Sequence, residues 1–200
     1  MKGSLIIICF FILGSCCGYF QLLPAFVTQS NLSYYALCAL MFSVGISIGN
    51  NPQTLRNFRS LNPRLIFLPV MTILGTLAGS TVVSFLLPHR SLTDCLAVGS
   101  GFGYYSLSSI FITEYKGAEL GTVALLANIS REIVTLLAAP LLVRWFGNLA
   151  PISAGGATTM DTTLPIITQT AGQQFVIVSI FHGFVVDFSV PFLVTLFCSL

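Results

Sequence analysis

The chain has 200 residues, 55% of them hydrophobic and 7% charged, with a formal net charge of +2 and a mean hydropathy of +0.92. Soluble domains carry about 25% charged residues, so composition excludes a water-soluble globular protein and points to an all-α integral membrane protein. A balance of +2, with basic residues scattered singly or in one short cluster, gives no footing for a nucleic-acid partner.

In chain order, the first apolar run covers residues 5–27 and is long enough to cross hydrocarbon, which takes about 20 helical residues. Lys2, the run that follows and the tetrapeptide Leu13-Gly14-Ser15-Cys16 also suit a lipoprotein signal with Cys16 as the lipidated residue. The stretch after Cys16 is apolar rather than a polar tether, which favours an uncleaved helix. A second span is expected at residues 32–48. The loop after it carries Arg56, Arg59 and Arg64, the strongest positive cluster, and is therefore expected on the cytoplasmic side. Further spans are expected at residues 65–87, 121–146 and 174–200, making about five in one transmembrane transporter domain, residues 1–200. The six cysteines, Cys9, Cys16, Cys17, Cys38, Cys95 and Cys198, lack metal or redox spacing and read as small hydrophobes. No metal or cofactor is expected.

Between these spans stand two stretches rich in glycine and hydroxyls, SGFGYYSLSS at residues 100–109 and SAGGATTMDTTLP at residues 153–165. The segments containing them, residues 95–113 and 154–170, are expected to be broken or re-entrant helices. Irregular backbone survives at membrane depth only where protein or a water-filled cavity satisfies it, and paired interruptions of this kind mark transport sites. The alternative is that Tyr104, Tyr105, Ser106, Ser108 and Ser109 simply pack closely on a neighbouring helix. If residues 95–113 dip in and return, Arg144 lands inside, which suits the positive-inside tendency; if they cross, Arg144 faces out.

The two stretches are tied by a weak repeat. IFITEYKGAEL from Ile110 aligns with PIITQTAGQQF from Pro165, matching Ile112 with Ile167, Thr113 with Thr168 and Gly117 with Gly172, and PLLVRWF from Pro140 aligns with PFLVTLF from Pro191. With both elements re-entrant, the two units would run in opposite directions, an inverted repeat.

Ionisable groups at the bilayer centre cost about 2.5–3.5 kcal/mol each and persist mainly where they face a cavity or a partner. Glu132 has Asn128 one turn earlier on its own face and Arg131 beside it. Asp161 lies in the second broken segment among Thr158, Thr159, Thr162 and Thr163, and His182 and Asp187 share the last span. Simpler roles exist for each: an ion pair for Arg131 and Glu132, a helix cap for Asp161, a packed hydrogen-bonded ring for His182, and pairing with Arg131 or snorkelling for Asp187.

The strings GSGFGYYSLSSIFITE, ANISRE, GGATTMDTTLP and FHGF, in that order, resemble the lysine exporter LysO family from about Met41 onward. Members usually carry more helices at the N-terminal end. The resemblance therefore suggests the C-terminal two-thirds of such a protein, with the remaining helices supplied by a second copy or a small membrane subunit. It implies multi-pass residence in the cell inner membrane and export of L-lysine and its toxic analogues, with essential acids matching Glu132 and Asp161. Asp187 departs from the family pattern, so a smaller role is expected for it.

Lysine carries two ammonium groups and a carboxylate. On this reading, Glu132, Asp161, Asn128, Ser106, Tyr105, Gly103, Thr158 and Thr159 bind substrate, with the ammonium groups held by Glu132 and Asp161. The carboxylate would meet the backbone amides of residues 101–105 or 155–157, or Arg131. Arginine, ornithine and thialysine satisfy the same charges. No nucleotide-binding motif is present, so an ion gradient is the expected energy source, with Glu132, Asp161 and His182 exchanging protons. Two other classes remain: a non-catalytic membrane subunit that scaffolds a partner, and an intramembrane serine hydrolase built on Ser106 and His182.

Overall fold

The computed structural model describes residues 63–200, together with Leu13, Gly14, residues 16–20 and Tyr35. The chain divides into two units, Met1–Gly49 and Asn50–Leu200. In the first, residues 16–19 are helical and the Phe20 amide donates to the Cys16 carbonyl at 3.0 Å. The spans expected at residues 5–27 and 32–48, and the loop arginines Arg56 and Arg59, otherwise lie outside the described residues.

The second unit is built from helices. A 3-10 turn, Pro63–Phe67, leads into α1 (Leu68–Leu86), followed by α2 (Leu92–Gly99), α3 (Tyr105–Lys116) and α4 (Ala118–Phe146). Then come α5 (Ala150–Gly155), a 3-10 turn at Gly156–Met160, α6 (Leu164–Ala171), a short 3-10 turn at Gln173–Phe175 and α7 (Val176–Ser199). Among the described residues, three segments are long and apolar enough to cross a bilayer: Leu65–Leu86, Ala118–Phe146 and Gln173–Ser199. They coincide, within a few residues, with the spans expected there from sequence.

Local chemistry sets the boundaries. Ser91 caps α2 by accepting the Asp94 amide at 3.0 Å. Prolines 69, 151 and 165 stand in the first turns of α1, α5 and α6, where a missing N–H is harmless. Gly117, at φ 92°, ends α3, and Gly172, at φ 110°, ends α6. Their amides donate to Thr113 and Thr168, the two threonines that the sequence repeat aligns. Ile112 and Ile167, aligned by the same repeat, are both fully buried, and Pro140 and Pro191 stand within α4 and α7.

The first broken segment turns back on itself. Asp94, in the first turn of α2, lies 3.7 Å from the ammonium of Lys116, the last residue of α3, and Arg90 pairs with Glu119 at the start of α4. A continuous helix from residue 94 to 116 would hold them roughly 30 Å apart, so α2 and α3 form a helical hairpin whose two ends return to the same place. The second segment does the same from the other end. Ile152 of α5 and Ile167 and Ala171 of α6 share one apolar cluster with Val143 near the end of α4, Leu149, Phe175 and Val178. Only α4 links the two hairpins; at 29 residues it is about 44 Å long, enough to cross a core about 30 Å thick. The hairpins therefore enter from opposite ends, and each is followed by a long helix containing proline. Their tips meet, with the Ala157 amide donating to the Phe102 carbonyl at 2.9 Å.

This arrangement makes a simple labelling prediction. In a cysteine-free background, Asp94→Cys and Lys116→Cys should react with an impermeant maleimide from one side of the membrane, and Leu149→Cys and Gln173→Cys from the other. Labelling of positions 94 and 116 from opposite sides would contradict the hairpin.

Candidate functional site

The first tip is a run of tight turns held by a side chain from α4. The amides of Gly101, Phe102 and Tyr104 donate to Val98, Gly99 and Gly101 at 3.2, 3.2 and 2.6 Å. The Gly103 amide donates to Asn128 Oδ1 at 2.7 Å, while Asn128 Nδ2 donates to the Ala124 carbonyl at 2.8 Å. Gly103 has φ 95° and Phe102 φ 46°. A buried phenylalanine in the left-handed region costs about 1–2 kcal/mol, and it is held there because its carbonyl receives the second tip.

The second tip is stitched by its own threonines. Thr158 Oγ1 donates to Gly155 O at 2.9 Å, and Thr159 Oγ1 lies 2.8 Å from Gly156 O and 2.9 Å from Ser179 O. Thr159 Oγ1 also stands 3.2 Å from His182 Nδ1, and His182 Nε2 stands 2.9 Å from Thr72 Oγ1. The imidazole is fully buried and joins α7, the second tip and α1. A Cβ on Gly183 would lie 2.7 Å from the Met160 amide, so glycine lets α7 pass against this tip.

The carboxylates gather around the tips. Glu132 is the middle residue of α4 and 1% exposed, and Asp187 on α7 is 4% exposed. Asp161 is exposed at the edge of the second tip, where Oδ1 accepts the Thr162 amide at 2.5 Å. It follows Met160, which packs on Gly183 about 10 Å along α7 from its start. At that depth an ionisable group persists mainly where it faces a cavity or a partner. Asp161 is within electrostatic reach of Tyr104, Tyr105 and Asp187, and Glu132 within reach of Tyr105. Tyr104 and Tyr105, at the start of α3, thus lie among the three acids. Ser106 is partly exposed in the first turn of α3, and its carbonyl accepts Ser109 Oγ at 3.4 Å.

Arg131 passes between both tips. A Cβ on Gly156 would lie 3.3 Å from its Cζ and one on Gly103 4.0 Å from its Cδ, and the guanidinium stands 6.0 Å from the Phe102 ring centroid. Nε donates to Ala154 O at 2.7 Å, Nη2 to Ser153 O at 3.0 Å, and Nη1 to Thr76 Oγ1 at 3.4 Å. Two of these acceptors are carbonyls in the last turn of α5, whose dipole end favours a cation.

Several expectations change on this geometry. The amides of residues 101–104 and 157 are occupied by protein acceptors, so they do not await a substrate carboxylate. Asp161 does not cap α6: that helix starts after Thr163 with no side-chain cap, because the Asp161 carboxylate accepts the adjacent amide instead. Arg131 donates to α5 and α1 rather than to Asp187. The Ser106–His182 pair that a hydrolase needs is not formed, since both ring nitrogens of His182 face threonines. Thr72 was missed. The signal was available in Thr72, Thr76, Ser80 and Ser84, spaced to form one hydroxyl stripe on α1. A Cβ on Gly99 would meet Ser80, so that stripe faces the first hairpin.

The family model described as lysine exporter LysO matches residues 8–198. The lysine exporter LysO of Escherichia coli strain K12 is 37% identical over 167 residues, covering 84% of this chain and 55% of its own length. A Haemophilus influenzae protein provisionally named a lysine exporter is 36% identical over 174 residues, 87% of each chain. The chain thus spans about half the length of the first relative and most of the second. No solved structure matches it. With an all-helical membrane architecture and a match over nearly its whole length, the chain belongs to the lysine exporter LysO family.

Proposed function

We propose that this chain exports L-lysine, and analogues such as thialysine, across the cell inner membrane in exchange for protons, with residues 1–200 acting as one transport domain. Family membership supports the substrate. The mechanism rests on one observation: two hairpins entering from opposite ends meet at Phe102 and Ala157, with Glu132, Asp161 and Asp187 around the junction. Each tip can gate one side while the acids between them take either a proton or an ammonium group.

Glu132 and Asp161 hold the two ammonium groups of lysine. Tyr105, Ser106, Thr158 and Thr159 line the path, and Asn128 and Gly103 keep the first tip in place. Asp187 tunes Asp161 from the opposite helix. His182 carries proton coupling indirectly, because a proton gained on its ring changes its contacts with Thr159 and Thr72 and so the hold of α1 on the second tip. Orientation follows from the arginine cluster at residues 56–64: the α2–α3 hairpin enters from outside and the α5–α6 hairpin from the cytoplasm, which leaves Arg144 inside. A second copy or a small membrane subunit completes the assembly. Gly75 and Gly79 on α1, with nothing within 4 Å of a Cβ among the described residues, offer a face for close helix packing.

Exporting a cation against an inside-negative potential costs about 2.3 kcal/mol per charge per 100 mV. One proton entering per lysine leaving cancels that charge movement, and a second proton would recruit the potential as a driving force. Counterflow tests the substrate. Vesicles containing the chain and loaded with unlabelled lysine should transiently accumulate labelled lysine. Uptake equal to that of vesicles without the chain would reject the reading.

A further inference from the structure

A cleft of about 340 Å³ lies between α1 and α5, lined by Met71, Thr72, Gly75, Thr76, Ser153 and Ala154. Three of these residues, Thr76, Ser153 and Ala154, are the hydrogen-bond partners of Arg131, so the guanidinium lies directly behind the wall of the cleft, one hydrogen bond from it through Thr76. A guanidinium has five N–H donors. Arg131 uses one on each of Ala154 and Ser153 at 2.7 and 3.0 Å, and a third on Thr76 at only 3.4 Å. Two donors have no acceptor among the described residues, and the third is weakly engaged.

The substrate carboxylate needs a receptor, and the amides of residues 101–104 and 157 already have protein acceptors. Among the described residues, the remaining lysines and arginines stand elsewhere: Arg64 lies in the 3-10 turn before α1, Arg90 precedes α2, Lys116 ends α3 and Arg144 lies in the last turn of α4. Arg131 is one residue from Glu132, near the middle of α4. Its long Thr76 bond is the one a carboxylate can replace without disturbing the α5 contacts.

We propose that Arg131, with the Thr76 hydroxyl, forms a carboxylate-binding subsite in the α1–α5 cleft that takes the α-carboxylate of the transported amino acid. The proposal rests on the lysine-export reading and adds a specificity rule to it: the substrate must be an amino acid, and a diamine lacking the carboxylate is refused. Thr76 is the better probe, because substituting Arg131 would also release the end of α5.

The experiment measures displacement of labelled L-lysine from membranes containing the full chain, using unlabelled lysine, lysinamide and cadaverine as competitors. Lysine should compete at least about tenfold better than either analogue, the scale of a charge-assisted carboxylate contact. Thr76→Val should weaken lysine binding about fivefold while leaving competition by lysinamide unchanged, whereas a general structural defect would weaken both together. Equal competition by lysine and lysinamide in the unmodified protein would overturn the subsite while leaving lysine export intact. Absence of any lysine-displaceable binding would overturn the export reading and the subsite with it.

Discussion

Glu132→Gln and Asp161→Asn should each abolish lysine export while leaving the protein in the membrane in normal amount. Both substitutions preserve side-chain size and keep one acceptor oxygen while exchanging the other for an NH2 donor, so the fold has little to lose. Glu132 is 1% exposed at the centre of α4, where a neutral amide is easier to keep than a carboxylate. On the proposed mechanism, what disappears is the charge that holds an ammonium group, worth about 1.5–3 kcal/mol or roughly tenfold to a hundredfold in binding, and with it the site where proton and substrate alternate. The combined effect is export below about 1% of the unmodified rate. Efflux from vesicles, normalised to protein detected in the membrane, checks this. Asp187→Asn should lower export without abolishing it, because the proposed mechanism gives Asp187 a supporting rather than a substrate-holding role. Equal loss at all three positions would mean that the acids work as a single set.

The second large effect is expected at the crossing of the tips. Gly156→Val should prevent both transport and stable folding of this unit. Gly156 has φ 64°, a region that costs a non-glycine residue about 1–3 kcal/mol, and its Cβ would collide with the Phe102 carbonyl oxygen. That carbonyl is the acceptor for the Ala157 amide, so the clash separates the tips rather than merely straining one of them. Gly147→Val serves as the comparison. Gly147 also has positive φ, at 87°, but nothing lies within 4 Å of its Cβ, so only the backbone strain remains. Thermal stability in detergent should fall much further for Gly156→Val than for Gly147→Val, and similar losses would indicate that the crossing does not hold the unit together.

Much of this architecture was legible in the residues because membrane depth is intolerant of irregular backbone. Glycine and hydroxyl clusters inside apolar runs pointed to breaks rather than to close helix packing alone, and both breaks lie where they were expected. The repeat was legible because Gly117 and Gly172 do the same physical work, ending a helix with positive φ. Helix ends were less so. The fourth helix starts at Ala118 rather than residue 121, because Gly117 ends the preceding helix and Glu119 has Arg90 as a partner at that end. What could not be read was the use made of each polar group. Nothing in the local sequence says that the Gly103 amide is taken by Asn128, or that His182 reaches Thr72, 110 positions away. Those contacts depend on which helix faces pack together. The smaller role expected for Asp187 rested on resemblance alone, whereas its burial on α7, at 4% exposure, is a fact of packing that the local sequence does not show.

The central claim is that protons entering the cell drive lysine out through carboxylates at the hairpin junction. Lysine efflux from right-side-out vesicles containing the protein, measured with the external solution stepped from neutral to acid at a clamped membrane potential, tests this most directly. Acid outside should accelerate efflux and alkalinise the external medium in proportion to the lysine released, and a protonophore should remove the acceleration. Lysine efflux that ignores the pH step, with no accompanying proton movement, would contradict the account.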